Sequence, residues 1–448
     1  MESQTDVERT SLGALWSRLL QGIPRRKKNT VFLTSLLLCH VLLWNGSAVS
    51  AQSNLISSID ENALSEATTL LQEAAYSGDV AGVSHIVWLD GEIVHFHAAG
   101  VRDLDDDLAF TRDTVVRINT MSGPITAVAA LTLFDQGKFA LDDPIQKYLP
   151  GLRVSGVLDS TLEPRSGRIV PAEDLITVRD LLRRTSGWSY PIGWKDPLLA
   201  FYRETELQFS GPLGENPPAF PLRDLVPKLG RIPLCDPPGT RFTTGPENDL
   251  LGLLIEIWSG QPLDAYVEKA ICRPLGMRNT GFTVRPEING LLSSLHSFGD
   301  DGLQVGVKAP QSRFHQRVPY LSGDSGMVST IDDYLRFCVM LATGGGNILK
   351  HQTVDKMMAN QLKGIRSPFS FGLGLMICPV TIKSWSGTRR CAEYSWIGGN
   401  GCRFRIVPEI NLIQIILMQQ TCDINGLERK ASAAIYKGLR IQNSLGED

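Results

Sequence analysis

The order of strand and helix patterns along the chain is its strongest constraint. Residues 82–103, GVSHIVWLDGEIVHFHAAGVRD, are read as a β-hairpin with Asp90-Gly91 at its turn. A capped amphipathic helix is predicted just before it, at 60–78. Residues 124–137, PITAVAALTLFDQG, open with Pro, end at Gly and are mostly apolar, which predicts a buried helix. Helical periodicity continues at TVRDLLRRTSG, NDLLGLLIEIWSG, LDAYVEKAICRPLG and STIDDYLRFCVMLATGG, with Pro/Gly-rich loops at 211–221 and 235–240. Strand patterns then return at SFGLGLMICPV, CAEYSWIGG, CRFRIVPE and NLIQIILMQQ, and a helix over about 425–441 closes the chain. Strands at both ends with helices between specify an α+β fold: an antiparallel sheet flanked by helices, plus a mostly helical lobe. Residues 60–118 and 365–443 are assigned to the α/β lobe, where the first and last strands share one sheet. Residues 119–364 are assigned to the helical lobe.

The first 51 residues read as an export leader. Arg25, Arg26, Lys27 and Lys28 precede the apolar run Val31 to Trp44, and Val49 and Ala51 occupy small-residue cleavage positions. The run is shorter than the roughly 20 residues a membrane span needs. An uncleaved signal anchor is the alternative, with 31–44 as a membrane tether; either way the body, 52–443, is expected to be exported. The formal net charge of -3 argues against a nucleic-acid partner, which would select a basic stripe. No phosphate loop, dinucleotide fingerprint or metal-ligand cluster is present in the sequence, so no cofactor or metal is expected.

Cys39 lies in the leader, and seven cysteines remain: Cys235, Cys272, Cys338, Cys378, Cys391, Cys402 and Cys422. An odd number leaves at least one free thiol. Most are read as small buried hydrophobes, with Cys391–Cys402 as the candidate disulfide. His95 and His97 alternate along a strand and face one side. With no carboxylate or third histidine placed beside them, they are read as a satisfied strand face, not a metal site.

Five phrases together resemble the serine β-lactamase/penicillin-binding-protein superfamily, and within it the class C β-lactamase-related esterase and transferase branch. They are RINTMSGPITAVAALTLFDQGKFALDDPIQKYLP, ITVRDLLRRTSGWSY, PPGTRFTTGPENDLLGLLIEIWSGQPLDAYVEKAICRPLGMRNTGF, GDSGMVSTIDDYLRFCVML and EYSWIGGNG. They fall in the family's order between about residues 60 and 440. The resemblance implies a β-lactamase/transpeptidase-like fold. It does not by itself assign an activity, which depends on the site residues.

Those residues depart from the family pattern. The first motif is Ser-x-x-Lys, in which the lysine one helical turn on eases deprotonation of the serine nucleophile. Pro124 fixes the register, so Thr120 stands at the serine position and Gly123 at the lysine position. Ser122 is the second nucleophile candidate, two residues off and lacking a lysine, because the residue three further on is Ile125. The second motif, Tyr-x-Asn, falls in a segment about one residue shorter than usual. The Tyr position lands on Thr243 or Thr244 and the Asn position on Gly245 or Pro246; Glu247 or Asn248 are the residues that could reach the site instead. A threonine hydroxyl cannot replace a phenol of pKa about 10 as a proton shuttle. The third motif is kept in its Trp-x-Gly form, Trp396-Ile397-Gly398, followed by Gly399. The resemblance implies that the backbone N–H groups of Thr120 and Gly399 form an oxyanion hole.

Two functional readings follow. In one, the chain is catalytically degenerate, a pseudoenzyme that holds a small carbonyl or carboxylate ligand in the cleft. In the other, it is an ester or amide hydrolase or acyltransferase with Thr120 or Ser122 as nucleophile and a relocated base such as Glu247. A non-hydrolytic enzyme has no specific support, and a standard β-lactamase or D-Ala-D-Ala peptidase is the least expected.

Overall fold

A computed structural model describes residues 59–158, 168–172, 175–191, 196–207, 214–384, 387–421, 425–439 and 441–443. The leader with its 31–44 run, Cys39 and Cys422 lie outside the described residues.

The hairpin forms as its sequence dictates. Strands β1 (Gly82–Leu89) and β2 (Glu92–Asp103) pair antiparallel. Asp90 and Gly91 at the turn have φ of 49° and 101°, the positive values a tight hairpin requires. β3 (Leu108–Ala109) adds to β2, and the short β4 (Val116–Arg117) pairs instead with β5 (Val328–Ser329). The C-terminal part supplies β6 (Ser370–Phe371), β7 (Met376–Ser384), β8 (Gly387–Ile397), β9 (Arg403–Val407), β10 (Leu412–Met418) and β11 (Ile441–Asn443). These join the hairpin in one antiparallel sheet of order β6-β7-β8-β9-β10-β1-β2-β3, with β11 on the outer side of β7. The N-terminal and C-terminal parts of the sheet meet at β1 and β10, where Val83 faces Met418 and Leu89 faces Leu412.

Helices cover both faces. Helix α1 (Glu61–Ser77) begins at an Asp60 cap, whose carboxylate accepts from the Asn62 N–H at 2.9 Å, and ends at Gly78, where φ is 78°. In the middle of the chain are α2 (Ser122–Asp135), α3 (Glu247–Ser259) and α4 (Ile331–Ala342). The last helix, α5 (Leu427–Gly438), is shorter than the 425–441 of the sequence reading, because the chain leaves it to form β11. Leu71 and Ala74 of α1 and Leu427 and Ala431 of α5 close over Val83, Ile416 and Met418 on one face. On the other, Tyr334 of α4 sits 5.3 Å from Phe404 of β9, ring to ring.

Beneath α1 and α5 lies a buried polar layer. Arg405 donates to Glu428 at 2.5 Å and to Glu393 at 2.8 Å, and Tyr436 donates to Glu393. Removing one member of such a buried set strands the others and costs about 3–5 kcal/mol. Histidines join this layer, which corrects the sequence reading. The strand register sets a third histidine, His85, opposite His97, and its ring lies 5.4 Å from that of His95. Nδ1 of His85 and Nε2 of His95 are buried without a hydrogen-bond partner among the described residues. Burial, reinforced by the neighbouring histidine, lowers their pKa values to about 3 and about 4, so both rings are neutral at physiological pH.

The Cys391–Cys402 disulfide does not form: both residues are buried thiols outside any disulfide, as are Cys235, Cys272, Cys338 and Cys378. Cys402 follows the turn between β8 and β9, whereas Cys391 lies six residues back along β8 from its end, a separation of about 20 Å at strand rise.

The α1–α5 contact closes at Gly438, where an added Cβ would stand 2.4 Å from that of Ala63. Helix propensity favours Gly438→Ala by about 1 kcal/mol. Overpacking is expected to win, with net destabilisation of about 1–3 kcal/mol in urea unfolding. An equal or raised midpoint would show that this contact is loose.

Candidate active site

Helix α2 has no polar face: every residue from Ser122 to Leu133 is buried. It is entered through a 3-10 turn, Asn119–Met121, in which Asn119 adopts a left-handed φ of 49°. This entry sets the two hydroxyls apart. Thr120 is only partly buried, and its hydroxyl donates to the Ile397 carbonyl on β8 at 2.6 Å. Ser122 is fully buried, donates to the Asn119 carbonyl at 2.7 Å and accepts from the Met327 N–H at 3.2 Å. As a nucleophile candidate, Ser122 is therefore corrected: its hydroxyl fastens the start of α2 and does not face the cleft.

At the lysine position, Gly123 leaves room that a neighbour fills. A Cβ there would stand 2.4 Å from Nδ2 of Asn248 and 3.5 Å from Nη2 of Arg184. Asn248, on the first turn of α3, donates to Oδ1 of Asp324 at 2.8 Å, and Arg184 donates to the same oxygen at 2.9 Å. Arg184 follows the short helix Val178–Leu182, has a left-handed φ of 58°, and stacks its guanidinium 4.9 Å from the Trp396 ring. Burial would lower its pKa, but the carboxylates of Asp324 and Glu247 overcome this and raise it, so the guanidinium stays charged. A permanently charged group cannot accept the proton of a nucleophile.

The second motif position is likewise engaged elsewhere. The Thr243 hydroxyl donates to the Trp188 carbonyl at 2.7 Å, and the Gly245 N–H donates to Glu247 at 3.0 Å. Glu247 also accepts from Ser186 at 2.7 Å and is fully buried. It makes no hydrogen bond to Thr120, contrary to its role as a relocated base. Burial raises its pKa to about 7, and burial with the nearby Asp324 charge raises that of Asp249 to about 6.

The third motif forms the opposite wall. Gly398 donates to the Cys402 carbonyl at 2.7 Å, and Gly401, at φ 83°, completes the turn. Asn400 is fully buried, and its amide donates to the Arg117 carbonyl at 2.9 Å and the Met418 carbonyl at 3.0 Å. It thereby ties the β8–β9 turn to the strand that delivers Thr120. The N–H groups of Thr120 and Gly399 converge, as the resemblance implies, but on an oxygen of the protein itself: Oδ1 of Asn119, at 2.8 and 3.2 Å. Trp396 is buried between Arg184 and Phe371, whose ring lies 5.4 Å away.

Beside Thr243 opens a cavity of about 700 Å³ lined by Tyr190, Phe242, Thr243, Thr244 and Phe369, with Arg241 and Arg366 among its walls. Phe242 and Phe369 both contact Phe371, so aromatic rings connect this cavity to Trp396.

Asn119, Arg184, Asp324 and Asn400 carry this geometry, and sequence reasoning gave none of them a role. A signal existed for Asn119, an acceptor side chain directly before the nucleophile position. It also existed for Asn400, a lone amide in a glycine turn.

The raised pKa of Glu247 makes stability depend on pH. The folded value of about 7 exceeds the unfolded value of 4.5, so the contribution is complete below pH 4.5 and lost as pH rises through 7. Glu247→Gln removes this titration, and the wild-type loss of stability between pH 5 and 8 is expected to shrink by roughly 2–3 kcal/mol. Thermal unfolding in half-unit pH steps measures it; parallel curves for the two proteins would contradict the assignment.

Comparison with known proteins identifies the family and the fold. The sequence model of the family described as Beta-lactamase matches residues 67–434. Protein Rv1367c of Mycobacterium tuberculosis is 29% identical over 374 residues, covering 79% of this chain and 90% of the relative. Esterase EstB of Burkholderia gladioli is 30% identical over 270 residues, covering 57% of this chain and 64% of the esterase. In fold, the chain resembles EstCE1, described as a hydrolase with promiscuous acyltransferase activity, at a TM-score of 0.69 and 22% identity, covering 84% of this chain and 99% of that one. With a family match over most of its length, the chain belongs to the β-lactamase family.

Proposed function

We propose that this chain is a non-covalent, ligand-binding member of the β-lactamase family, exported by its N-terminal leader. On this reading the cleft holds a small molecule bearing a carboxylate or carbonyl and does not pass it through an acyl-enzyme. One observation carries the proposal: the space at Gly123 is filled by the Asn248–Asp324–Arg184 network, and Thr120 gives its proton to a main-chain carbonyl. A carbonyl is far too weak a base to activate an alcohol, and removing the base from a nucleophile–base unit lowers turnover by roughly four to six powers of ten. The adjoining cavity is lined by aromatic rings together with two arginines and two aspartates, Arg241 pairing with Asp236 at 3.7 Å, and suits a ligand of moderate size with an apolar body and polar ends.

The second reading, an ester or amide hydrolase or acyltransferase acting through Thr120, is favoured by the names of the relatives, an esterase and a hydrolase with acyltransferase activity. A fluorescent fluorophosphonate separates the two. The folded protein is expected to remain unlabelled by intact mass. Stoichiometric labelling that disappears in Thr120→Ala would overturn the non-covalent reading and name the nucleophile.

A further inference from the structure

Two main-chain N–H groups from distant parts of the chain point at one oxygen atom. Thr120 contributes the first, from the turn that enters α2, and Gly399 the second, from the loop after β8. Convergent donors of this kind form a receptor for a single anionic or carbonyl oxygen. The oxygen they hold is Oδ1 of Asn119, whose side chain is itself nearly buried, at 8% exposure. The backbone is shaped for this. Asn119 sits at φ 49°, a conformation that asparagine tolerates better than most residues, and this turns its side chain back over the following peptide. The Gly399 side closes as tightly, with Asn119 Oδ1 3.2 Å from where a Cβ at 399 would stand.

We propose that Asn119 is the resident occupant of the ligand-oxygen site. Its amide oxygen stands where the carboxylate or carbonyl oxygen of a ligand is received, and the ligand binds by displacing it. The proposal rests on the non-covalent reading above and adds to it a competitor built into the chain. An Asn119 amide is neutral and already in place, so it satisfies both donors without burying a charge. A ligand carboxylate makes stronger, charge-assisted bonds to the same donors and can displace it. The site therefore selects anionic oxygen over neutral carbonyls, because a neutral carbonyl exchanges one amide-type acceptor for another and gains little.

The test uses full-length protein with 15N-threonine and 15N-glycine labels and sodium benzoate as the probe, followed through the Thr120 and Gly399 amide resonances. Asn119→Gly removes the occupant and keeps the left-handed backbone; Asn119→Asp replaces it with a fixed carboxylate of the same shape. Both amides are expected to shift together and saturably in N119G, with benzoate affinity about tenfold tighter than wild type, because the two hydrogen bonds to Asn119 Oδ1 no longer compete. N119D is expected to show no shift, because its own carboxylate holds the donors. Equal affinity in wild type and N119G, or amides unmoved by benzoate in N119G, would overturn the proposal. Should N119G fail to fold, shifts in N119D as large as wild type would overturn it as well. Fluorophosphonate labelling at Thr120 in the same wild-type sample would instead defeat the non-covalent reading, so the two failures are told apart.

Discussion

One carboxylate oxygen, Oδ1 of Asp324, organises the middle of this protein. It accepts from Arg184 and from Asn248, and the Asp324 N–H in turn donates to Asp249, which also takes the hydroxyls of Tyr320 and Ser322. Three chain segments that are far apart in sequence, at 184, 248–249 and 320–324, are thus fixed to one another behind the cleft. Without Asp324, the Arg184 guanidinium would be a buried charge lacking its nearest counter-ion. Its stack on Trp396 would lose the charge pairing that aligns it. The cleft wall, the start of α3 and the loop after Arg313 therefore depend on a single acid.

This arrangement also explains why the lysine of the family pattern has no place here. A lysine at 123 would collide with the Asn248 amide, which stands 2.4 Å from the position of its first side-chain carbon. Gly123 leaves the space, Asn248 on the first turn of α3 fills it, and Arg184 supplies a positive charge that does not titrate. At position 123 itself a cation and hydrogen bonds fill the space, and neither Gly123 nor Arg184 offers a group that exchanges a proton.

The fold was largely legible because it depends on periodicity. The 82–103 segment around Asp90-Gly91, the apolar 124–137 segment and the late strands each formed the element expected, and the first hairpin meets the late strands through the β1–β10 register. The site was legible only as far as motifs reach. Thr120, Gly123, Trp396 and Gly399 were found by their spacing from Pro124 and Gly398. Ser122 could have been set aside from helical geometry, since two residues along a helix turns a side chain away from the first. What fills the gap at Gly123 was not legible, because Asp324 and Arg184 are 140 residues apart and meet only in space. The third histidine was hidden for a similar reason: His85 joins His97 through strand register and not through sequence spacing. The misjudged cysteine pair shows the converse, since Cys391 and Cys402 are near in sequence but held apart by an extended strand.

The outer margin of β7 has a bearing on how the protein can be handled. Its free edge is divided between β6, which pairs at Met376 and Ile377, and β11, which pairs at Val380 to Ile382. Both guards are short, two residues in β6 and three in β11. An uncovered edge of this length, rich in Ile, Val and Thr, is a template for intermolecular strand addition. The three residues Ile441–Asn443 therefore act as a solubility device, and an affinity tag joined directly at or before them would trade convenience for self-association.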